Sequence, residues 1–78
     1  MSNIEFEDLL SIIVTNTVSI IAKNNNWDND YALNRFLSSN VYSTLEKEET
    51  KVWHLSSYML AKLFEDEREG YLVWPEVM

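Results

Sequence analysis

Between residues 6 and 21, the side chains suited to burial recur at the spacing of one face of an α-helix. This face follows the pattern i, i+3, i+4, i+7 and comprises Phe6, Leu10, Ile13, Val14, Thr17, Val18 and Ile21. Ile12 and Ile20 lie off the face, so we expect a central helix with other helices on more than one side. Its β-branched residues lower the helix propensity, and a strand over residues 11–21 is the competing interpretation. Length and periodicity favour the helix.

Capping residues predict where the first two helices begin and end. Ser2 and Glu5 have the spacing of a capping box, with Ser2 at the N-cap and Glu5 at the third helical position. The asparagines at 24–26 predict the end of this helix, because asparagine tolerates the left-handed backbone conformation. Asp28 then predicts the N-cap of a second helix, and Trp27 outside it has the position of a hydrophobic staple.

The second helix is followed by a break and a third helix, which is predicted to be short. The residues expected on the buried side of the second helix are Tyr31, Ala32, Leu33, Phe36 and Leu37. Residues 38–40 predict another break, after which either Ser39 or Asn40 can cap a third helix. That helix carries Val41, Tyr42 and Leu45, and the charged residues 46–51 predict its end and a solvated turn.

The last helix is expected after Trp53 and Leu55 have returned the chain to the core. Ser56 is predicted to cap it. Its apolar stripe comprises Leu60, Leu63 and Phe64, with Met59 beside them. Gly70, the only glycine, stands where the end of a helix needs a positive φ, and residues 71–75 are expected to be extended. The sequence thus predicts a single all-α domain over residues 1–78, a compact bundle of three to four helices with an extended C-terminal tail.

The charge and the cysteine content restrict the partners and the compartment. Thirteen acidic and six basic residues give a formal charge of −7, and the basic residues are scattered. Nucleic-acid binding needs clustered basic residues, so we expect neither nucleic acid nor an anionic membrane as a partner, whereas a basic protein surface is compatible. The absence of cysteine favours a reducing compartment, and acidic residues precede an apolar run too short to cross a membrane. We therefore expect a cytoplasmic protein.

Candidate catalytic residues are few. His54 is the only histidine, and without cysteine a zinc site would need carboxylates for nearly all its ligands. Ser56, the nearest serine that follows it, is better explained as an N-cap than as a nucleophile. A carboxylate pair needs a cleft, for which a small helical domain rarely has room, and a single glycine excludes a glycine-rich phosphate loop. We expect no enzymatic activity, no cofactor and no metal.

The C-terminal segment is the predicted binding region, because an acidic run is followed there by aromatic residues. The candidate protein-binding residues are Glu65, Asp66, Glu69, Tyr71, Val73 and Trp74. Trp and Tyr are enriched at binding hot spots, and an acidic rim assists encounter with a basic partner. The alternative is that these aromatic residues cover the open end of the helical core.

Two stretches resemble a group of small bacterial proteins of unknown function. Residues 36–45 have the pattern F-x-x-S-x-x-Y-x-x-L, and residues 49–53 have the pattern E-T-x-x-W before a terminal helix. Such proteins look like single all-helical domains, and some resemble the antitoxin members of small two-gene modules. The resemblance implies a protein-binding role in a bacterial cytoplasm and carries over no catalytic residue.

The leading hypothesis is therefore a noncatalytic protein-interaction domain, antitoxin-like or an accessory partner of a neighbouring protein. The alternative is a structural domain that assembles as a homodimer and buries Trp53 and Trp74 in the interface. A third hypothesis, a small enzyme or ligand carrier, predicts a pocket around His54.

Overall fold

The computed structural model describes residues 5–72, and the regular structure in this range is entirely helical. The α-helices are α1 (Phe6–Asn25), α2 (Asn29–Leu37), α3 (Asn40–Leu45) and α4 (Ser57–Glu69). Two short 3-10 turns, Glu48–Thr50 and Val52–His54, connect α3 to α4. The predicted all-α bundle is confirmed, and the strand considered for residues 11–21 is wrong because that stretch lies within α1.

The first helix begins later than its predicted capping box. Glu5 has an extended backbone (φ −64°, ψ 144°) and is itself the N-cap residue, without a side-chain capping bond. The assignment of Glu5 to the third helical position is therefore wrong, and Ser2 lies outside the described residues. The apolar periodicity begins only at Phe6, and Glu7 and Asp8 supply the negative charge that suits a first helical turn.

Both long helices end as predicted, in a residue with positive φ. Asn26 ends α1 with φ 57°, and Gly70 ends α4 with φ 83°. At each end the next residue donates its N–H to a carbonyl five positions back, from Trp27 to Ala22 at 2.9 Å and from Tyr71 to Asp66 at 2.8 Å. This Schellman arrangement compensates carbonyl groups that the helix leaves without partners.

The predicted N-caps of α3 and α4 are confirmed. For α2 the predicted N-cap residue is correct, but its side chain does not form the capping hydrogen bond. Ser39, not Asn40, caps α3, since its hydroxyl accepts from the N–H of Tyr42 at 3.1 Å. Ser56 accepts in the same way from the N–H of Met59 at 3.1 Å. Asp28 stands at the N-cap of α2, but its side chain makes no capping bond.

Helix α1 is central, and α4 and α2 both pack against it. Helices α1 and α4 run in the same direction, because Phe6 lies 6.1 Å from Trp53 just before α4, whereas Asn25 contacts Arg68 near its end. The three-residue connection between α1 and α2 makes those two helices antiparallel neighbours. The core residues are Ile13, Val18, Ile21, Ala22, Ala32, Phe36, Val41, Leu45, Val52, Leu60, Ala61, Leu63 and Phe64.

The prediction for the buried side of α2 is only partly correct. Ala32 and Phe36, four residues apart, are fully buried. Tyr31, Leu33 and Leu37 are 51%, 36% and 42% exposed. The physical reason is that α2 lies at the surface of the bundle, so only one narrow stripe of this short helix meets its neighbours.

Candidate protein-interaction surfaces

The acidic end of α4, where binding residues were predicted, makes contacts within the domain. The carboxylate of Glu67 accepts hydrogen bonds from the backbone N–H groups of Asn40 at 2.9 Å and Val41 at 3.0 Å. These are the first two N–H groups of α3, which no turn of that helix can satisfy. Glu67 therefore caps α3 from a distant part of the chain, a role that the sequence analysis missed.

Two of the predicted binding carboxylates are likewise engaged inside the domain. Glu65 accepts from the guanidinium of Arg68 at 2.6 Å and from the amide of Asn25, and its side chain is 26% exposed. Asp66 pairs with Lys62 at 3.1 Å, and its side chain is 29% exposed. Both acids therefore have partners before any other molecule approaches.

The other predicted binding residues fall into two groups. Glu69 and Tyr71 are exposed, and Tyr71 keeps 69% of its surface accessible just beyond the end of α4. Val73 and Trp74 lie outside the described residues. Of the predicted set, only Glu69 and Tyr71 are shown to offer free side-chain surface.

Arg68 joins the C-terminal ends of α1 and α4. Its guanidinium lies 4.7 Å from the centre of the Trp27 ring and 3.2 Å from the side-chain oxygen of Asn25. It also lies 6.0 Å from the centre of the Phe64 ring. A cation at this position is favourable, because both helix dipoles place partial negative charge there.

The residues considered for catalysis are dispersed. His54 is exposed, and the centre of its ring lies 4.2 Å from that of Trp53. Trp53 and Leu55 are half-buried against the core, and Val52 is the fully packed residue of this turn. Within residues 5–72, no three His, Cys, Asp or Glu side chains are grouped closely enough to hold a metal ion.

An apolar groove lies between α1 and α2, and we call it the α1–α2 groove. It consists of two adjoining depressions of about 390 and 170 Å³ that share Thr15 and Leu33. Its apolar lining comprises Leu10, Val14, Val18, Leu33, Leu37 and the ring of Tyr42. Its polar lining comprises Glu7, Ser11, Thr15, Ser19, Asn29 and Asp30.

Charge is distributed unevenly along this groove. Glu7 lines one end, in the first turn of α1, and Asp30 lines the other, in the first turn of α2. The described residues that line the groove include no lysine or arginine. The α1–α2 groove is therefore lined by apolar and short polar side chains along its length, with one carboxylate at each end.

A second groove, of about 380 Å³, lies between α2 and α4 and has a different character. Both arginines of the chain, Arg35 and Arg68, line it together with polar side chains and the ring of Tyr31. Glu67 also lines it, although its carboxylate is committed to the start of α3. This groove therefore differs from the α1–α2 groove, whose described lining contains no arginine or lysine.

The sequence contains one indication of the α1–α2 groove, although the residues that give it were expected in the core. Helix α2 carries apolar residues at 31, 32, 33, 36 and 37, which is more than one face of a nine-residue helix. Only a central helix can bury several faces, and α1 already occupies that position. The number of apolar residues in α2 thus indicates that some of them, such as Leu33 and Leu37, lie at the surface.

Comparisons with known proteins give no assignment: no protein family, no curated protein sequence and no solved structure matches the chain. None of the helices among residues 5–72 has both the length and the apolar character that crossing a membrane requires.

Proposed function

We propose that this chain is a noncatalytic protein-interaction domain that binds another protein in the α1–α2 groove. The observation that carries the proposal is the predominantly apolar surface of that groove. Leu33 and Leu37 line it and remain 36% and 42% exposed. Exposed aliphatic side chains that line a concave surface are typical of a binding site, whereas isolated ones are not informative.

The charge of the domain supports a protein partner of opposite sign. A net charge of −7 accelerates encounter with a basic protein and disfavours nucleic acid. The role suggested by the resemblance, an antitoxin-like or accessory partner of a neighbouring cytoplasmic protein, agrees with this charge and forms part of the proposal. Glu69 and Tyr71 at the end of α4 can assist encounter, but they do not form a concave surface with the groove.

Site-specific photo-crosslinking in the cells that produce the chain tests the proposal. A diazirine amino acid at Ser11, which lines the groove, should give a discrete crosslinked protein that mass spectrometry can identify. The same amino acid at Tyr58, which is 76% exposed on α4 and lines neither groove, is the control. Crosslinking of the same species from both positions, or from Tyr58 alone, would refute a partner in the groove.

A matched pair of variants separates loss of binding from loss of folding. Leu33→Gln changes a groove residue that is 36% exposed, and Met59→Gln changes a residue on α4 that is 38% exposed. Both replace a similarly exposed apolar side chain by a neutral one, so their effects on stability should be comparable. Only Leu33→Gln should abolish the crosslink from Ser11.

A further inference from the structure

We infer that the occupant of the α1–α2 groove is an amphipathic α-helix of about three turns with basic residues at both ends. This inference rests on the proposed function and specifies its partner. Along α1, the groove extends from Glu7 to Ser19. At 1.5 Å per residue this corresponds to about 18 Å, or a little over three turns of a bound helix.

The α1 side of the groove favours a helix over an extended peptide as the occupant. On the α1 side, Ser11, Thr15 and Ser19 recur every four residues, and their short side chains permit close approach of a helix backbone. The hydroxyl of Thr15 already donates to the carbonyl of Ser11 at 2.9 Å. An apolar occupant therefore does not leave that hydroxyl without a hydrogen-bond acceptor. An added strand would need a free sheet edge, and residues 5–72 contain no strand.

The acidic ends determine which helix fits best. A helix that lies in the groove places its own ends near Glu7 and Asp30. Lysine or arginine there would form ion pairs across a partly desolvated interface, whereas glutamate or aspartate would face like charge. The groove therefore discriminates most strongly in favour of a partner helix that carries basic residues at both ends of its apolar stripe.

The same charges disfavour a second copy of this chain as the occupant. A homodimer centred on the groove would align the two grooves in parallel or antiparallel orientation. Because both ends are acidic, through Glu7 and Asp30, either orientation brings acid against acid. Each copy also carries a net charge of −7, which adds long-range repulsion.

The experiment titrates the isotope-labelled protein with two synthetic 14-residue helical peptides and follows the backbone amide signals by NMR. Both peptides carry leucine at positions 3, 6, 7 and 10, which form one face of the helix. One peptide has lysine at positions 1, 2, 13 and 14, and the other has glutamate at the same four positions. We expect the lysine-ended peptide to bind at least about tenfold more tightly at low salt, and the preference to shrink as salt screens the charges. The signals of Ser11, Thr15 and Leu33 should move most.

Three variants test the charge and the place of binding. The double variant E7Q/D30N lowers the net charge only from −7 to −5, but it removes both carboxylates from the groove and should therefore markedly reduce the preference for lysine over glutamate. Leu33→Gln should weaken both peptides about tenfold or more, while Met59→Gln leaves them unchanged.

Equal or stronger binding of the glutamate-ended peptide would overturn the inference, as would signal changes centred on the end of α4. A concentration-dependent homodimer that masks Ser11, Thr15 and Leu33 in light scattering and NMR would overturn it in favour of a second copy. If Ser11 still crosslinks, in cells, a protein other than a second copy of this chain, the proposed function survives either failure. If no groove-dependent crosslink forms, the proposed function fails as well.

Discussion

The buried hydroxyl of Thr17 gives the most direct test of this structure. Thr17 is fully buried on the inner face of α1, and its Oγ1 has no hydrogen-bond partner among residues 5–72. An unpaired hydroxyl in a protein interior costs about 1–3 kcal/mol. Valine has almost the same shape and nearly the same helix propensity as threonine. We therefore expect Thr17→Val to raise the free energy of unfolding by about 1–2 kcal/mol, because the desolvation penalty disappears without a change of packing.

Urea denaturation followed by circular dichroism measures this effect. For a domain of this size, 1 kcal/mol corresponds to roughly 4–8 °C in the melting temperature, so thermal denaturation should show a rise of at least about 4 °C. The dependence of the unfolding free energy on urea should stay constant, since the surface exposed on unfolding does not change.

Thr15→Val is the matched control on the same helix. Thr15 is exposed, and its hydroxyl donates to the carbonyl of Ser11 at 2.9 Å. Its replacement should change the stability by less than about 0.5 kcal/mol, as for other surface positions. If Thr17→Val is no more stable than the original chain, or if both variants shift equally, the Thr17 hydroxyl has a partner and the reasoning is refuted.

Three further changes of stability can be measured by the same urea denaturation. Glu67→Ala removes the acceptor of the first two N–H groups of α3 and should cost about 1–3 kcal/mol, whereas an equal loss in Glu69→Ala would show that capping is not the cause. Lys51 has φ 59°, so Lys51→Gly should stabilise the domain by up to about 1 kcal/mol; a clear loss would contradict strain at this turn. Met59→Glu completes a capping box with Ser56 and should add about 0.3–1 kcal/mol, and destabilisation would mean that the packing of Met59 outweighs the cap.

The features that sequence reasoning predicted well are local ones. The end of α1 at Asn26, the cap at Ser56 and the end of α4 at Gly70 depend on residues within one turn of each other. The apolar stripes of α1 and α4 were also predictable, because their periodicity extends over several turns. A short helix such as α2 has too few turns for periodicity to show which apolar residues face outward.

The features that sequence reasoning missed are contacts between distant parts of the chain. Glu67 caps α3 across more than twenty residues, and no local pattern marks a carboxylate for that role. The α1–α2 groove likewise exists only because α2 turns back along α1 and leaves Leu33 and Leu37 uncovered within the described part of the chain. Neither the direction of α2 nor the width of its buried stripe follows from the sequence of α2 alone.

The acidic end of α4 shows why a charge cluster is weak support for a binding site. Four carboxylates near a helix C-terminus oppose the helix dipole, and three of them were predicted to face a partner with a basic surface. In the structure, Glu67 faces the N-terminus of α3, where a negative charge is favourable, and Glu65 meets the guanidinium of Arg68. Three of the four carboxylates thus have structural partners, and Glu69 has no partner among the described residues. The α1–α2 groove presents the opposite case: within residues 5–72, Leu33 and Leu37 are exposed and do not belong to the packed core, and a bound helix would cover them.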